Sequence, residues 1–275
     1  QLKRYIKMTK HLCILLLSVI VVSCSPFQKA LKSDDVKVKY ETAEKLYERG
    51  KYIKAIRLFE QIVPSYKGKP QAEKMFYMYA QSLYKSKQYY TAGYQFEYFS
   101  AGYPRSEKLE ETSFLGAKSY YKLSPRYSLD QKDTHKALDK LQLFINNYPN
   151  SEYMPEANQL VKELRQKLEK KDYEVAMQFY KTAEFFGDFG ASIRAFDNFI
   201  IDHPGTDLKE EALFYKFDAS YKLAMNSVAY KMQERLENAK GHYRALIKFN
   251  GESKYKAQAD EMLATIDTEL QKFSK

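Results

Sequence analysis

The chain contains no tryptophan, and its only cysteines are Cys13 and Cys24. So few thiols exclude a disulfide framework and a cysteine-built metal centre. Glycine and proline are scarce too, at 10 and 8 of 275 residues. A multi-turn β-fold needs many of both, because they supply the backbone angles of tight turns. Their scarcity beside 25 tyrosines and 17 phenylalanines favours packed helices. The four histidines, His11, His135, His203 and His242, stand far apart, and none has the spacing of a metal-ligand pair. No phosphate-cradling glycine loop and no nucleophile elbow occurs. Asp188-Phe189-Gly190 echoes a kinase motif, but the loops that must accompany it are missing, so it reads as a helix-turn-helix corner. Carboxylates in runs such as Glu107-Lys108-Leu109-Glu110-Glu111 read as solvated helix faces. These absences predict a chain that is not an enzyme and holds no metal.

What is present starts with a stretch free of acid. Lys3, Arg4, Lys7 and Lys10 precede the apolar run Leu12–Val22, with no Asp or Glu before it. That run is too short to cross a bilayer, which takes about 20 residues. A basic flank, a short apolar core and a small-residue end predict a signal peptide over 1–23. Gln1 cannot initiate translation, and Met8 offers a start that makes a compact leader. The run ends Val21-Val22-Ser23-Cys24, which resembles the lipobox of bacterial lipoproteins. Small residues there admit the signal peptidase, the thiol takes a diacylglyceryl group, and the new amino terminus is acylated. Cys24 is therefore the expected lipidation site, and its covalent lipid is the only expected bound group. One acyl chain anchors marginally, at about 0.8 kcal/mol per buried methylene; the three implied by the lipobox hold a chain to the bilayer. Residues 24–38 carry few large apolar side chains and read as a lipidated tether. Losing the four leader cations takes the formal charge from +10 to +6. Export argues against nucleic acid as a partner, so anionic headgroups or an acidic protein surface suit that charge better.

The remainder repeats. Ala43, Leu46, Tyr47, Tyr52, Ala55, Phe59, Ile62 and Tyr66 match Ala80, Leu83, Tyr84, Tyr89, Ala92, Phe96, Phe99 and Tyr103 at a constant step of 37. Ala117, Tyr120 and Tyr121 open a third copy. Its second half, Ala137, Leu141, Phe144 and Tyr148, comes late because Ser124 to Asp130 inserts a loop. A second echo at a step of 100 pairs Glu110, Glu111, Phe114 and Tyr121 with Glu210, Glu211, Phe214 and Tyr221. The three- and four-residue spacings predict helix pairs. Tyr103-Pro104, Tyr148-Pro149 and His203-Pro204 end units, and the Ser or Thr that follows each is expected to N-cap the next helix.

This pattern resembles the tetratricopeptide repeat, whose usual period is about 34. The predicted fold is all-α: a tetratricopeptide-repeat superhelix (α-solenoid) of about five helix pairs over 39–275. Repeats are expected at 39–72, 73–109, 110–154, 171–208 and 209–253, and a capping helix over 254–275, with Ala259, Leu263, Ile266 and Leu270 on its stripe. Repeat four carries an excess of about four residues around Ala183 to Phe186.

A lipobox followed by five such repeats is similar to the BamD family of outer-membrane β-barrel assembly (BAM) lipoproteins. The most telling stretch is Asp130-Gln131, then Ala137, Phe144 and Tyr148-Pro149-Asn150-Ser151-Glu152-Tyr153, with Ala157 after it. The resemblance covers about 24–253; the excess in repeat four departs from the family pattern. It implies a lipid-anchored scaffold on the periplasmic face of the outer membrane, consistent with the lack of an acidic run after Cys24. The implied partners are a BamA-like β-barrel with POTRA domains, met by the carboxy-terminal repeats, and unfolded outer-membrane proteins, met by the amino-terminal ones. The acyl anchor adds the bilayer itself. By repeat geometry, the groove positions for a substrate peptide are Tyr40, Glu44 and Tyr47, then Tyr77, Gln81 and Tyr84, then Phe114, Lys118 and Tyr121. The competing readings are a repeat lipoprotein scaffold for cell-wall synthesis, a glycan-binding lipoprotein, which the missing tryptophan disfavours, and a lytic cell-wall enzyme, for which no catalytic signature appears.

Overall fold

The computed structural model describes residues 25–273. The expected leader and the expected lipidation site, Cys24, lie outside the described residues. Among the described residues there are twelve helices and no strand, as the breaker-poor composition predicted. The described residues form two compact units, one of 25–124 and 132–161, the other of 125–131 and 162–273.

The first unit holds α1 (Pro26–Lys32), α2 (Val36–Glu48), α3 (Tyr52–Tyr66), α4 (Ala72–Lys85), α5 (Tyr89–Gly102), α6 (Leu109–Leu123), α7 (Lys132–Asn147) and the start of α8 (Met154–Phe186). From α2 to α7, each helix packs on its neighbour in the chain, giving three tetratricopeptide-type pairs. The repeat positions are the core: Ala43, Ala55, Phe59 and Ile62 are fully buried, and so are their counterparts Ala80, Ala92, Phe96 and Phe99. Small residues at Ala43 and Ala55 let backbones approach, and the aromatics beside them fill the space. Each phenylalanine so buried contributes about 2–3 kcal/mol.

The step of 37 extends to the turns. Gly50 closes the α2–α3 hairpin at φ 68°, and Lys87 closes α4–α5 at φ 62°. In the first turn the Gly50 amide donates to the Tyr47 carbonyl and the Lys51 amide to Leu46. Lys87 and Gln88 repeat this onto Tyr84 and Leu83. This is the left-handed helix cap that glycine suits and a lysine occupies under strain.

Two expectations change in this unit. The tether over 24–38 is interrupted by α1. Ser25 accepts the Gln28 amide at 3.3 Å, Pro26 pre-sets the first turn, and Phe27 and Ala30 bury against the core. One aromatic and one alanine at a spacing of three suffice to dock a seven-residue helix. The Ser after each Tyr-Pro is also not the N-cap itself. Ser106 and Ser151 accept amides two residues on, from Lys108 and Tyr153, which makes a hydroxyl turn before the helix; in the second unit Ser253, which follows Asn250-Gly251-Glu252 and no Tyr-Pro, does the same for Tyr255. Each hydroxyl then donates to a first-turn glutamate of an earlier helix. Ser106 reaches Glu73 at 2.6 Å, Ser151 reaches Glu110, and Ser253 reaches Glu210 at 2.6 Å. Glu110 and Glu210 therefore tie the turn that closes a repeat back to the first helix of the same repeat, rather than standing as solvated charges.

The second unit holds most of α8, then α9 (Phe189–Asp202), α10 (Lys209–Met225), α11 (Ala229–Phe249) and α12 (Lys256–Gln271). No glycine or proline falls between 156 and 186, so α8 runs unbroken through the stretch 155–170 that the repeat spacing left unassigned. The excess in repeat four is one more turn at the end of α8, which leaves Phe185 and Phe186 exposed before Gly187 turns the chain at φ 77°. Asp188 stands at the α9 N-cap, as a corner residue should. Inside the unit, Tyr180 donates to the buried Asp218, and Lys222 pairs with Asp218 at 2.8 Å and Glu184 at 2.9 Å. The loop 125–131 is pinned by Gln131, whose amide nitrogen donates to the Arg126 and Leu129 carbonyls, each at 2.9 Å. The last helix, α12, packs on α10 and α11 through Ala259, Met262 and Ile266. Met262 takes the buried position that the stripe reading gave to Leu263.

Candidate functional site

All nine groove candidates lie in the first unit, on α2, α4 and α6. The structure gathers some of them and removes others. Tyr47 and Tyr77 line one open cavity of about 450 Å³, together with Glu48, Pro70, Glu73, Lys74, Met78, Phe99 and Lys108. Tyr77 sits there because Phe99 meets its ring edge-on at a centroid distance of 6.2 Å. Its hydroxyl donates to Glu111 at 2.8 Å. Gln81, one turn further along α4 and buried, donates to the same carboxylate at 3.0 Å and to the Tyr77 hydroxyl at 3.1 Å. Burial, then the bond to Glu111, pushes the Tyr77 phenol far above its ordinary value, so it stays a donor at any physiological pH. Burial also raises Tyr47.

Charge enters at the rim. Lys108 pairs with Glu111 at 3.2 Å and lies 5.4 Å from the centre of the Tyr77 ring. Lys74 pairs with Glu44 at 2.5 Å. The candidate Glu44 therefore acts on the cavity by holding a lysine at its edge. The walls are apolar (Tyr47, Tyr77, Met78, Phe99), while the rim offers two ammonium groups whose side chains are more than half exposed, at 63% and 52%. Such a site can take an aromatic or aliphatic side chain and present donors to a backbone carbonyl or a carboxylate.

The other candidates do not line this cavity. Tyr40 is buried and stacks on Tyr66 at 5.2 Å. Phe114 is 2% exposed and stacks on Tyr153 at 4.8 Å, so it packs the core. Tyr84 is half-buried, edge-on to Tyr89 and Phe96. Lys118 is tied to Glu156 at 2.6 Å. Tyr121 is half-buried, with Lys122 5.4 Å from its ring centre. The sequence reading missed Glu73, Lys74, Met78, Phe99, Lys108 and Glu111. A signal for Glu111 existed: the acidic pair Glu110-Glu111 recurs as Glu210-Glu211 at the same place in a later helix.

A family model described as YfiO, an outer membrane lipoprotein, matches residues 32–236. The chain belongs to the YfiO family. This is the BamD-type family to which the lipobox and repeats pointed. The YfiO match spans α2 to α10 whole and so contains every residue of the cavity; α12 lies beyond it. No curated protein matches the chain. Among the described residues of this YfiO-family chain, no helix is long and apolar enough to cross a membrane. Nor does any cluster of His, Cys, Asp and Glu among them have the geometry to hold a metal ion.

Proposed function

We propose that this YfiO-family chain is a non-enzymatic scaffold for β-barrel assembly, moored to the periplasmic face of the outer membrane by lipid on Cys24. Its amino-terminal repeats receive a segment of an unfolded barrel protein, and its carboxy-terminal repeats dock a BamA-like barrel through POTRA domains. The observation that carries the reading is the cavity of Tyr47, Tyr77, Met78 and Phe99 with Lys74 and Lys108 at its rim. An extended barrel strand alternates apolar and polar side chains. Its apolar side chain enters between the aromatic walls, and its carbonyls or terminal carboxylate meet the lysines. Catalysis is not required for this task; a client needs only to be held and passed on.

The test is site-specific photo-crosslinking in cells. A photoreactive residue at Tyr47 or Lys74 is expected to trap unfolded outer-membrane proteins. The same residue at Tyr94, which is 59% exposed and outside the cavity lining, serves as the comparison. Equal labelling at all three positions would contradict the assignment.

A further inference from the structure

The residues just after Cys24 do not hang free as a tether; they fold back onto the domain. Ser25 is the N-cap of α1, so a lipid on Cys24 would emerge one residue from a docked helix. What surrounds that helix is basic. Lys29 and Lys32 are exposed along it. From α3, Lys54 Nζ lies 5.5 Å and Arg57 Cζ 5.7 Å from the centre of the buried Phe27 ring. Ile53, which shares a face of α3 with Arg57, is 67% exposed among these cations. The nearest acids in sequence are Asp34 and Asp35, beyond the far end of α1, and Asp35 accepts the Lys37 amide at 2.8 Å as the α2 cap. Glu60 follows on α3.

From this we infer that α1 and the adjoining end of α3 form a membrane-contact face for anionic phospholipid, built of Lys54 and Arg57 at Phe27 and of the exposed Lys29 and Lys32 along α1, with Ile53 entering between headgroups. The inference extends the lipid-anchor reading. The acyl chains supply attachment; the face fixes which side of the first unit meets the bilayer. A tether of flexible residues would leave the domain free to rotate, whereas a helix docked on Phe27 transmits the anchor's position to the repeats. Phosphate headgroups suit a cluster of four cations, two of which already lie over the Phe27 ring.

The experiment isolates the face from the anchor. The processed chain carrying Cys24→Ser is mixed with vesicles of phosphatidylcholine containing phosphatidylglycerol, and with phosphatidylcholine alone, and binding is read by co-sedimentation. Binding to the anionic vesicles is expected, and it should fall as salt is raised. Neutralising all four cations to glutamine is expected to reduce it about fivefold per charge, to the level of phosphatidylcholine. A second variant loses the same charge at exposed positions of the other unit: Lys162, Arg165, Lys181 and Lys231 to glutamine. It should keep most of the binding. If the fourfold variant melts early by circular dichroism, the pair K29Q and K32Q, both exposed, replaces it, with a loss of roughly twenty-five-fold. Equal loss in the two fourfold variants, or no preference for anionic vesicles, would overturn the inference. Palmitate labelling of the unaltered chain separately tests the anchor. Its failure would remove the lipoprotein reading and leave the vesicle result standing.

Discussion

Glu111 ties α4 to α6, and its removal should cost more than a surface carboxylate could. Its carboxylate accepts from Tyr77 at 2.8 Å, from buried Gln81 at 3.0 Å and from Lys108 at 3.2 Å. The lysine pair is half exposed, so it contributes about 0.5 kcal/mol or less. A hydroxyl donating to a charged acceptor is worth about 1.5–2 kcal/mol, so Y77F should lose that much. E111A leaves two donors short of their acceptor, one of them buried, and should cost about 3 kcal/mol. The double variant should cost less than the sum, with a coupling of roughly 1.5 kcal/mol. The assay is urea unfolding of the soluble chain followed by circular dichroism, run as a double-mutant cycle. Because repeats are held by their neighbours, E111A should also broaden the transition as repeats two and three uncouple. A coupling under about 0.5 kcal/mol, within the error of additive sites, would refute the knot. Y77F keeps the aromatic wall, so crosslinking from Tyr47 should survive it.

Two further outcomes follow from single residues. Lys87 holds a left-handed φ of 62° where its counterpart is Gly50; K87G should therefore stabilise the chain by about 0.5–1 kcal/mol in the same unfolding assay, and a loss of stability would contradict the strain. His242 is pushed down to about 4 from an ordinary value of 6.5, first by burial and then by the charge of Lys216. The unfolded chain binds a proton below about 6.5 that the folded chain refuses until about 4. The neutral ring's contribution is thus intact above pH 6.5 and lost as pH falls through that window, by at most ~2 kcal/mol after solvent screening. H242N should flatten this part of the stability–pH curve, and an unchanged slope between pH 6.5 and 5 would reject the assignment.

The repeat was legible because burying one side of a helix pair demands the same residue sizes each time. Ala43 and Ala80, or Phe59 and Phe96, share a step because they share a packing environment. Groove positions were only partly legible. An aromatic on the first helix of a repeat reads alike whether it faces a cavity, like Tyr77, or stacks within the core, like Phe114. Which one it does depends on the neighbouring helix, and periodicity carries no record of that. The helix α1 escaped notice for a related reason: two buried side chains are too few to make a period. The polar staples were half visible. A serine closing the repeat and the paired glutamates each recur, but only the fold joins Ser151 to Glu110 and Ser253 to Glu210. The length of α8 follows from an absence, since nothing between 156 and 186 breaks a helix.

Affinity isolation of the chain from detergent-solubilised outer membrane tests the proposed scaffold role most directly. Co-elution with a large β-barrel protein bearing POTRA domains, at near-equal amounts, is expected. Recovery of the chain without such a barrel, or with cell-wall synthases in its place, would contradict the scaffold proposal.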